Sequence, residues 1–590
     1  MQLYSYKQVE ITGGYLAAKQ ELNRKITINA VYDRFKETGR IDAFSMSRKD
    51  AHIFWDSDVA KWMEGAAYLL AQSPDAELER KVEALIDNIE KYQGADGYFN
   101  IYYTVCEPDG RFTQRGNHEL YCAGHLFEAA VAYAEATGRE RFLACMEKYA
   151  DYIYRVFVEE KSAAFVTPGH EEIELALVRM YRYTGKKKYL DLAAFFINER
   201  GRHDGELTDY NQSHVPVREQ REAVGHSVRA VYLYSAMADL ALELHDEQLQ
   251  NACDALYRDI TERKMYVTGG IGSCHLGETF SKPYDLPNAE AYTETCAGIG
   301  LMFFCQRMLR LENNAAFADT VERVFYNGVL SGISLDGKSF FYENPLEITL
   351  LDHFSNSYGA RRFPITQRLE CFSCSCCPPN LNRLLPLLGE YLYGRQDDTL
   401  FVNQFAASTL SDGDVTCVMT TDYPVNGRVT LSAQGVKRLA VRIPAWCASF
   451  TLNKPYTVQN GYAVVDAEGE TVLELDMTPF AVCADSRVVR DAGKLCVQAG
   501  PIVYCAESVD NGENLHTFSI SPNFESTVHY SEAFGLNELE ISAKRYAQGG
   551  ALYRRAEHSG NQPQPATLHL IPYSAFANRG ESDMLVWFNA

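Results

Sequence analysis

No stretch of the chain approaches ~18 uninterrupted apolar residues, which excludes a transmembrane helix. The longest candidate, Val224 to Leu244, is broken by His, Arg and Asp. Lys- and Arg-rich runs are also missing, and the formal net charge is −22. A nucleic-acid binder needs a basic footprint, and an acidic surface argues equally against anionic polymers and anionic membranes. The first residues, Met1-Gln2-Leu3-Tyr4-Ser5-Tyr6-Lys7, carry no basic patch leading into an apolar segment. No cleaved signal is therefore expected, and the expected location is cytoplasmic.

What is present points elsewhere. At 590 residues the chain is too long for one core and suggests roughly two to four domains. Its 37 Tyr and 30 Phe suit sugar-binding clefts, although all-β domains also use them heavily. Sixteen Cys in a chain without a signal imply reduced thiols, and a cluster of them suggests metal binding or catalysis.

The first two-thirds read as helical. Asp56 is a candidate cap for a helix whose apolar stripe is Val59, Trp62, Met63, Ala66, Ala67 and Leu70. Leu78, Val82, Leu85, Ile86 and Ile89 repeat the pattern. Thr137-Gly138-Arg139 followed by Phe142-Leu143 is echoed 47 residues later (185 − 138) by Thr184-Gly185-Lys186 followed by Tyr189-Leu190. Each copy reads as helix, tight turn, helix, and stacked hairpins of this size close into an α/α solenoid or toroid; coincidence of two common helix endings is the alternative. After about Tyr391 the texture becomes β. Val415–Met419, Arg428–Leu431, Leu439–Ile443, Thr471–Leu475, Leu495–Tyr504, Thr567–Ile571 and Met584–Phe588 are short runs, most of them separated by Gly, Asn or Pro. They suggest two β-sandwiches, packed rigidly because no low-complexity linker precedes them.

The segment Cys371-Phe372-Ser373-Cys374-Ser375-Cys376-Cys377-Pro378-Pro379-Asn380 places four Cys within seven positions. A structural zinc knuckle or a buried apolar cluster would explain it. However, a tetrathiolate usually shows two separated C-x₂-C pairs, whereas adjacent thiols in a stiff turn need outside ligands. Glu294-Thr295-Cys296 is a suitable donor pair if extended or turn geometry points both side chains one way. One carboxylate and three sulfurs would complete a tetrahedral zinc site, unless these are unrelated buried Cys. Metal-bound thiols are thiolates, and thiolates are nucleophiles. A proton donor would then be needed; Glu278 in Gly277-Glu278-Thr279 is a candidate, indistinguishable by spacing from an ordinary solvated acid. His118, His125, His170 and His226 stand close to Gly residues, near expected helix starts at a toroid rim. They suit either hydroxyl recognition or capping.

At these residues the sequence strongly resembles glycoside hydrolase family 127, the β-L-arabinofuranosidases. The matching pieces are Gly277-Glu278, Glu294-Thr295-Cys296, Cys374-Ser375-Cys376-Cys377-Pro378-Pro379-Asn380, Gly225-His226 and Phe341-Tyr342-x-Asn344-Pro345. Toward the C-terminus, Leu439-x-Val441-Arg442-Ile443-Pro444-x-Trp446, Gly500-Pro501-Ile502-Val503-Tyr504 and Ile571-Pro572-Tyr573 match too. The resemblance implies a mainly α catalytic domain, an (α/α)6 barrel over 1–392 whose first residues can pair with a sandwich. Two all-β, jelly-roll-like sandwich domains would follow at 393–497 and 498–590. It further implies a retaining, exo-acting mechanism with Cys376 as nucleophile and Glu278 as acid/base. Zn²⁺ would be held by Glu294, Cys296, Cys376 and Cys377. The sugar would be contacted by His170, His226 and Tyr342, with His118 favoured over His125, while Cys122 and Cys371 only pack. The expected partner is an oligosaccharide or glycoconjugate, and a homodimer through a sandwich follows by resemblance only. Two alternatives remain at this point: the same mechanism on another pentofuranose or a branched or acidic sugar, and a non-catalytic sugar-binding protein with a structural zinc.

Overall fold

The computed structural model of the chain describes residues 1–202, 207–351, 365–546, 552–553 and 562–590. Six helices touch in a closed ring: Trp55–Gln72, Glu119–Thr137, Ile173–Thr184, Ser227–Leu244, Thr295–Leu311 and Cys377–Leu384, the last returning to the first. They are buried almost all round; in Glu119–Thr137 every residue from Glu119 to Ala134 is buried. A second set packs outside them, including Ala76–Tyr92, Arg141–Tyr154, Lys187–Glu199, Glu247–Arg263 and Ala315–Arg323. These outer helices bury one stripe only. In Ala76–Tyr92 it consists of Leu78, Val82, Leu85, Ile86 and Ile89, as the periodicity requires.

The internal repeat is visible atom by atom. Gly138 and Gly185 both take left-handed φ, +70° and +69°, and each donates N–H to the carbonyl four residues back at 2.8 Å. Thr137 and Thr184 each donate their hydroxyl to the carbonyl four residues back at 2.7 Å. Asp56 departs from its expected role. It lies inside the helix that begins at Trp55, and its Oδ2 accepts from the Ile101 amide at 2.9 Å, tying the ring to the start of the short helix Ile101–Val105.

The remainder is β-rich. One six-stranded sheet contains Tyr393–Gln396, Thr399–Val402, Arg438–Arg442 and Tyr462–Asp466, and another contains Ser408–Asp412, Val415–Thr421, Arg428–Gln434 and Thr471–Leu475. The N-terminal strands close onto both: Gln2–Leu3 pairs with Gly394–Arg395, and Val9–Ile11 with Ser408–Leu410. A third sheet of ten strands runs from Phe480–Val482 through Lys494–Ala499, Leu536–Arg545 and Gln564–Pro572. The run Leu495 to Tyr504 is two strands, broken at Gly500, whose φ of +55° and Pro501 neighbour end the first. No described helix is long and apolar enough to cross a membrane.

Candidate active site

The ring helices present their N-terminal ends to one cavity of about 320 Å³, lined among others by Asp58, His118, His170, His226, Glu294, Cys296 and Cys376. His118, His226, Glu294 and Cys376 are the residues immediately preceding four of these helices. Helix N-termini carry unsatisfied N–H groups and a partial positive charge, so anionic side chains are favoured there.

The Cys-rich segment is not a stiff turn. Pro378 and Pro379 occupy the first turn of helix Cys377–Leu384, where a missing N–H costs nothing. Similarly, Glu294 and Cys296 face one way because they flank a helix start, not because the chain is extended. The Phe341-Tyr342-x-Asn344-Pro345 element has a local reason too. The Thr295 amide donates to Tyr342 O at 2.9 Å, the Asn344 amide to Tyr292 O at 3.0 Å, and Asn344 Nδ2 to Thr293 O at 2.9 Å. That lacing brings the Tyr342 hydroxyl 3.3 Å from Cys376 Sγ.

Four donors converge. Cys296 Sγ lies 3.5 Å from Cys376 Sγ and 3.2 Å from Cys377 Sγ, and the latter two are 3.7 Å apart. Glu294 Oε1 is 3.6 Å from Cys376 Sγ and 3.8 Å from Cys377 Sγ. All four residues are buried, and Glu294 Oε2 has no hydrogen-bond partner. Tetrahedral bonds of about 2.3 Å to sulfur separate the sulfurs by about 3.8 Å, close to the spacing found. Four buried anions cannot coexist without a cation. Accordingly, burial and the Cys376 charge push the Glu294 carboxyl well up, and burial pushes the Cys377 thiol up. Burial opposes ionisation of Cys296 as well, yet hydrogen bonds from Cys376 and Cys377 bring it down to about 6. The set fits one divalent ion of thiolate affinity.

Glu278 and His226 are joined by backbone. Gly225 takes φ +71° with its Cα so close to Asp209 that a Cβ would stand 2.0 Å from the carbonyl oxygen. His226 bridges Thr279, and the Phe280 amide donates to Gly225 O at 2.9 Å. His226 Nε2 then reaches Glu278 Oε2 at 2.8 Å. Its Nδ1 accepts from the Val228 amide at 3.2 Å, so Nε2 carries the proton and donates to Glu278. Burial raises the Glu278 carboxyl, but the His226 and Tyr292 hydrogen bonds outweigh it and hold it below the ordinary range. Burial keeps His226 neutral, with Arg229 adding to the effect.

The imidazoles form a row, with ring centroids 5.3 Å apart for His118–His170 and 5.5 Å for His170–His226. Burial followed by Arg229 lowers His118 to about 3 and holds His170 well below the ordinary imidazole range, so both are neutral hydrogen-bonding groups. His125 does not line the cavity; its Nδ1 lies 3.2 Å from Glu172 Oε1. Cys122 and Cys371 are outside the lining, whereas Tyr210 contributes to it. Tyr121, Asp58, Arg229, Tyr292 and Cys374 were given no site role from the sequence. All but Tyr292 line the cavity, and Tyr292 bonds Glu278. Only Cys374, inside the Cys-x-Cys-Cys run, carried any signal.

Two family models match the chain: the catalytic domain of beta-L-arabinofuranosidase GH127 over residues 8–390, and the glycoside hydrolase family 127 C-terminal domain over 479–589. A non-reducing end beta-L-arabinofuranosidase of Bifidobacterium longum subsp. longum is 37% identical, across 91% of this chain and 89% of its own. The crystal structure of a GH127 beta-L-arabinofuranosidase from Geobacillus stearothermophilus T6 superposes with a TM-score of 0.92 at 39% identity, covering 98% of this chain and 99% of that one. A solved GH127 beta-arabinofuranosidase matches with a TM-score of 0.91 at 33% identity, covering 100% and 97%.

Proposed function

The chain belongs to glycoside hydrolase family 127 and is a glycoside hydrolase, and from that premise we propose that it is a retaining, exo-acting β-L-arabinofuranosidase. The observation that carries this reading is the buried Glu294–Cys296–Cys376–Cys377 set at the cavity floor, with the Glu278–His226 pair in the wall beside it.

In this reading Cys376 Sγ attacks the anomeric carbon while the glycosidic C–O bond breaks and Glu278 gives its proton to the departing oxygen. The sugar is then joined to Cys376 through a C–S bond. Glu278, now a carboxylate, takes a proton from water, whose oxygen attacks the same carbon and breaks that bond, so configuration is retained overall. His118, His170, His226 and Tyr342 orient the sugar hydroxyls. Glu294, Cys296, Cys376 and Cys377 would hold Zn²⁺, which when bound keeps the thiols ionised at neutral pH. Proton supply to Glu278 comes from solvent, since its side chain is 32% exposed.

The closed ring with its outer helices supports an (α/α)6 barrel, and the paired six-stranded sheets support a sandwich. The division at about 392 and 497 is part of the proposal. Strand Lys494–Ala499 straddles the second boundary, and the C-terminal family model begins at 479. All sixteen cysteines are free, which suits a reducing, cytoplasmic compartment.

The test is product analysis with a β-L-arabinofuranosyl disaccharide, reading the first-formed anomer by NMR with and without chelator. Cys376→Ser and Glu278→Gln should each fold and lose at least a thousand-fold in turnover, an order of magnitude typical of a lost nucleophile or general acid. Substantial activity in Cys376→Ala would sink the thiolate mechanism.

A further inference from the structure

Tyr342 reaches the cavity from a segment that two distant parts of the molecule hold. On the ring side, the Thr295 amide and hydroxyl donate to Tyr342 O and Phe341 O, both at 2.9 Å. The ten-stranded C-terminal sheet holds the same segment from elsewhere. Tyr573 directly follows strand Gln564–Pro572 and is 0% exposed, and its hydroxyl lies 2.9 Å from Asn344 O and 3.0 Å from Pro345 O. The Phe576 ring stacks on Phe341, with centroids 5.0 Å apart and planes at 15°. Arg368 spans both rings, 4.5 Å from the Phe341 centroid and 5.4 Å from that of Phe576, and its Nη1 donates to Phe576 O at 2.7 Å. Two residues beyond Pro345 the segment becomes strand Glu347–Ile348, an edge of that sheet paired with Met584–Leu585.

Tyr342 is thus held through its neighbours. Phe341 enters the C-terminal stack, while the adjacent Tyr342 lines the cavity with its hydroxyl 3.3 Å from Cys376 Sγ. Planar peptides leave only φ and ψ to absorb a shift, so a displacement of Phe341 or Asn344 is passed to Tyr342. Packing alone would be served by Phe at position 573. A buried hydroxyl is costly unless it is hydrogen-bonded, and this one is spent on the backbone of the Tyr342 segment.

We propose that Tyr573 and Phe576 are positioning residues for Tyr342, so that the C-terminal sheet completes the sugar site from outside the helical ring. This rests on the reading of Tyr342 as a sugar contact. The ring-side bonds from Thr295 remain when either residue is changed, so the segment stays attached but loses its second anchor.

The experiment measures kcat and KM of the full-length protein on a β-L-arabinofuranosyl disaccharide. It compares wild type, Tyr573→Phe, Phe576→Leu, Tyr342→Phe and the two double variants that include Tyr342→Phe. A displaced contact weakens substrate binding, whereas a smaller folded fraction lowers the apparent kcat and leaves KM alone. Tyr573→Phe and Phe576→Leu should each raise KM about three-fold or more and lower kcat/KM about ten-fold, since a small misplacement of a positioned group suffices for that. In the Tyr342→Phe background each should change kcat/KM by less than about two-fold, because the hydroxyl they act through is gone. If only one of the two folds, it carries the same test. Equal losses in both backgrounds would overturn the inference, as would a wild-type KM in the single variants. Loss of the fold in both would overturn it too, because the contacts would then be a requirement of folding. Wild-type kcat/KM in Tyr342→Phe, or a wild type inactive on the disaccharide, would instead overturn the functional reading of the site, and this inference with it.

Discussion

Against burial, the Glu278 carboxyl is held below the ordinary range chiefly by His226, with Tyr292 adding to it. A hydrogen bond to the ionised form of a carboxyl lowers its pKa, and His226 Nε2–H provides that bond at 2.8 Å. In the proposed role of general acid Glu278 works only while protonated, so kcat/KM should fall as pH rises through the Glu278 value. Replacing His226 by Ala removes the donor, raises that value, and should move the alkaline limb up by about one pH unit, since hydrogen bonds to charged groups contribute roughly 1.5–3 kcal/mol. The rate at the optimum should also drop, because His226 lines the cavity that the proposed function assigns to the sugar. A pH profile of kcat/KM decides it; a limb that stays put or moves down removes His226 from control of Glu278. This pairing was invisible in the chain. Spacing alone offered Glu278 as one acid among 78 Asp and Glu, because its partner is 52 residues away (278 − 226) and is delivered by the backbone bridge between His226 and Thr279. The cysteines were easier to see, since Cys376 and Cys377 are adjacent in the sequence. Tyr121, Asp58 and Arg229 were not, because what assembles them is the convergence of helix starts.

At the scale of elements, local chemistry was the most legible part. The outer-helix stripe and most strand cores lay where periodicity put them, since one buried face imposes its period directly on the residues. Inner helices are buried nearly all round, so the stripe read on Trp55–Gln72 understates a burial that runs unbroken from Asp56 to Leu69, and their closure into a ring is set by packing between distant segments. The two glycine endings offer a clean test of local control. Gly138 and Gly185 have left-handed φ, and a Cβ at either would meet nothing within 4 Å. Substitution by Ala therefore introduces backbone strain and no clash, and each should cost about 1 kcal/mol. With 47 positions from one to the other (185 − 138) and separate surroundings, the double variant should lose about 2 kcal/mol, the sum. Urea unfolding reads this; a cost near zero would mean that the turn can relax to a right-handed ending. Gly124→Ala is the contrasting case. Its Cβ would stand 1.6 Å from Glu172 Oε2 and 2.8 Å from Ile173 Cα, in the interior of the ring. The variant should fail to accumulate as folded protein, whereas Gly138→Ala should express normally.

The whole molecule is joined by an ionic contact that neither domain contains alone. Arg442, on strand Arg438–Arg442, is 0% exposed and pairs with Glu322 and Asp319 on helix Ala315–Arg323. Glu322 also accepts from Tyr423 OH at 2.6 Å and Trp446 Nε1 at 2.9 Å, both from the β-rich region. Breaking a buried ion pair on one side strands the other charge, so Glu322→Ala should cost about 3–5 kcal/mol. The alanine also abandons the Tyr423 and Trp446 donors. Replacing the pair by apolar residues of similar volume removes the stranded charge, so Glu322→Leu with Arg442→Met should recover much of that loss. Hydrogen exchange supplies the spatial readout. In the wild type, strand Arg438–Arg442 and helix Ala315–Arg323 should open together. In Glu322→Ala the strand should exchange ahead of the ring helices, because the contact coupling the two regions has gone. The cavity is lined from the helical region, so retention of the proposed zinc should survive that uncoupling while overall stability falls. Equal loss of both would mean that the β-rich region also supports the ring helices at the site.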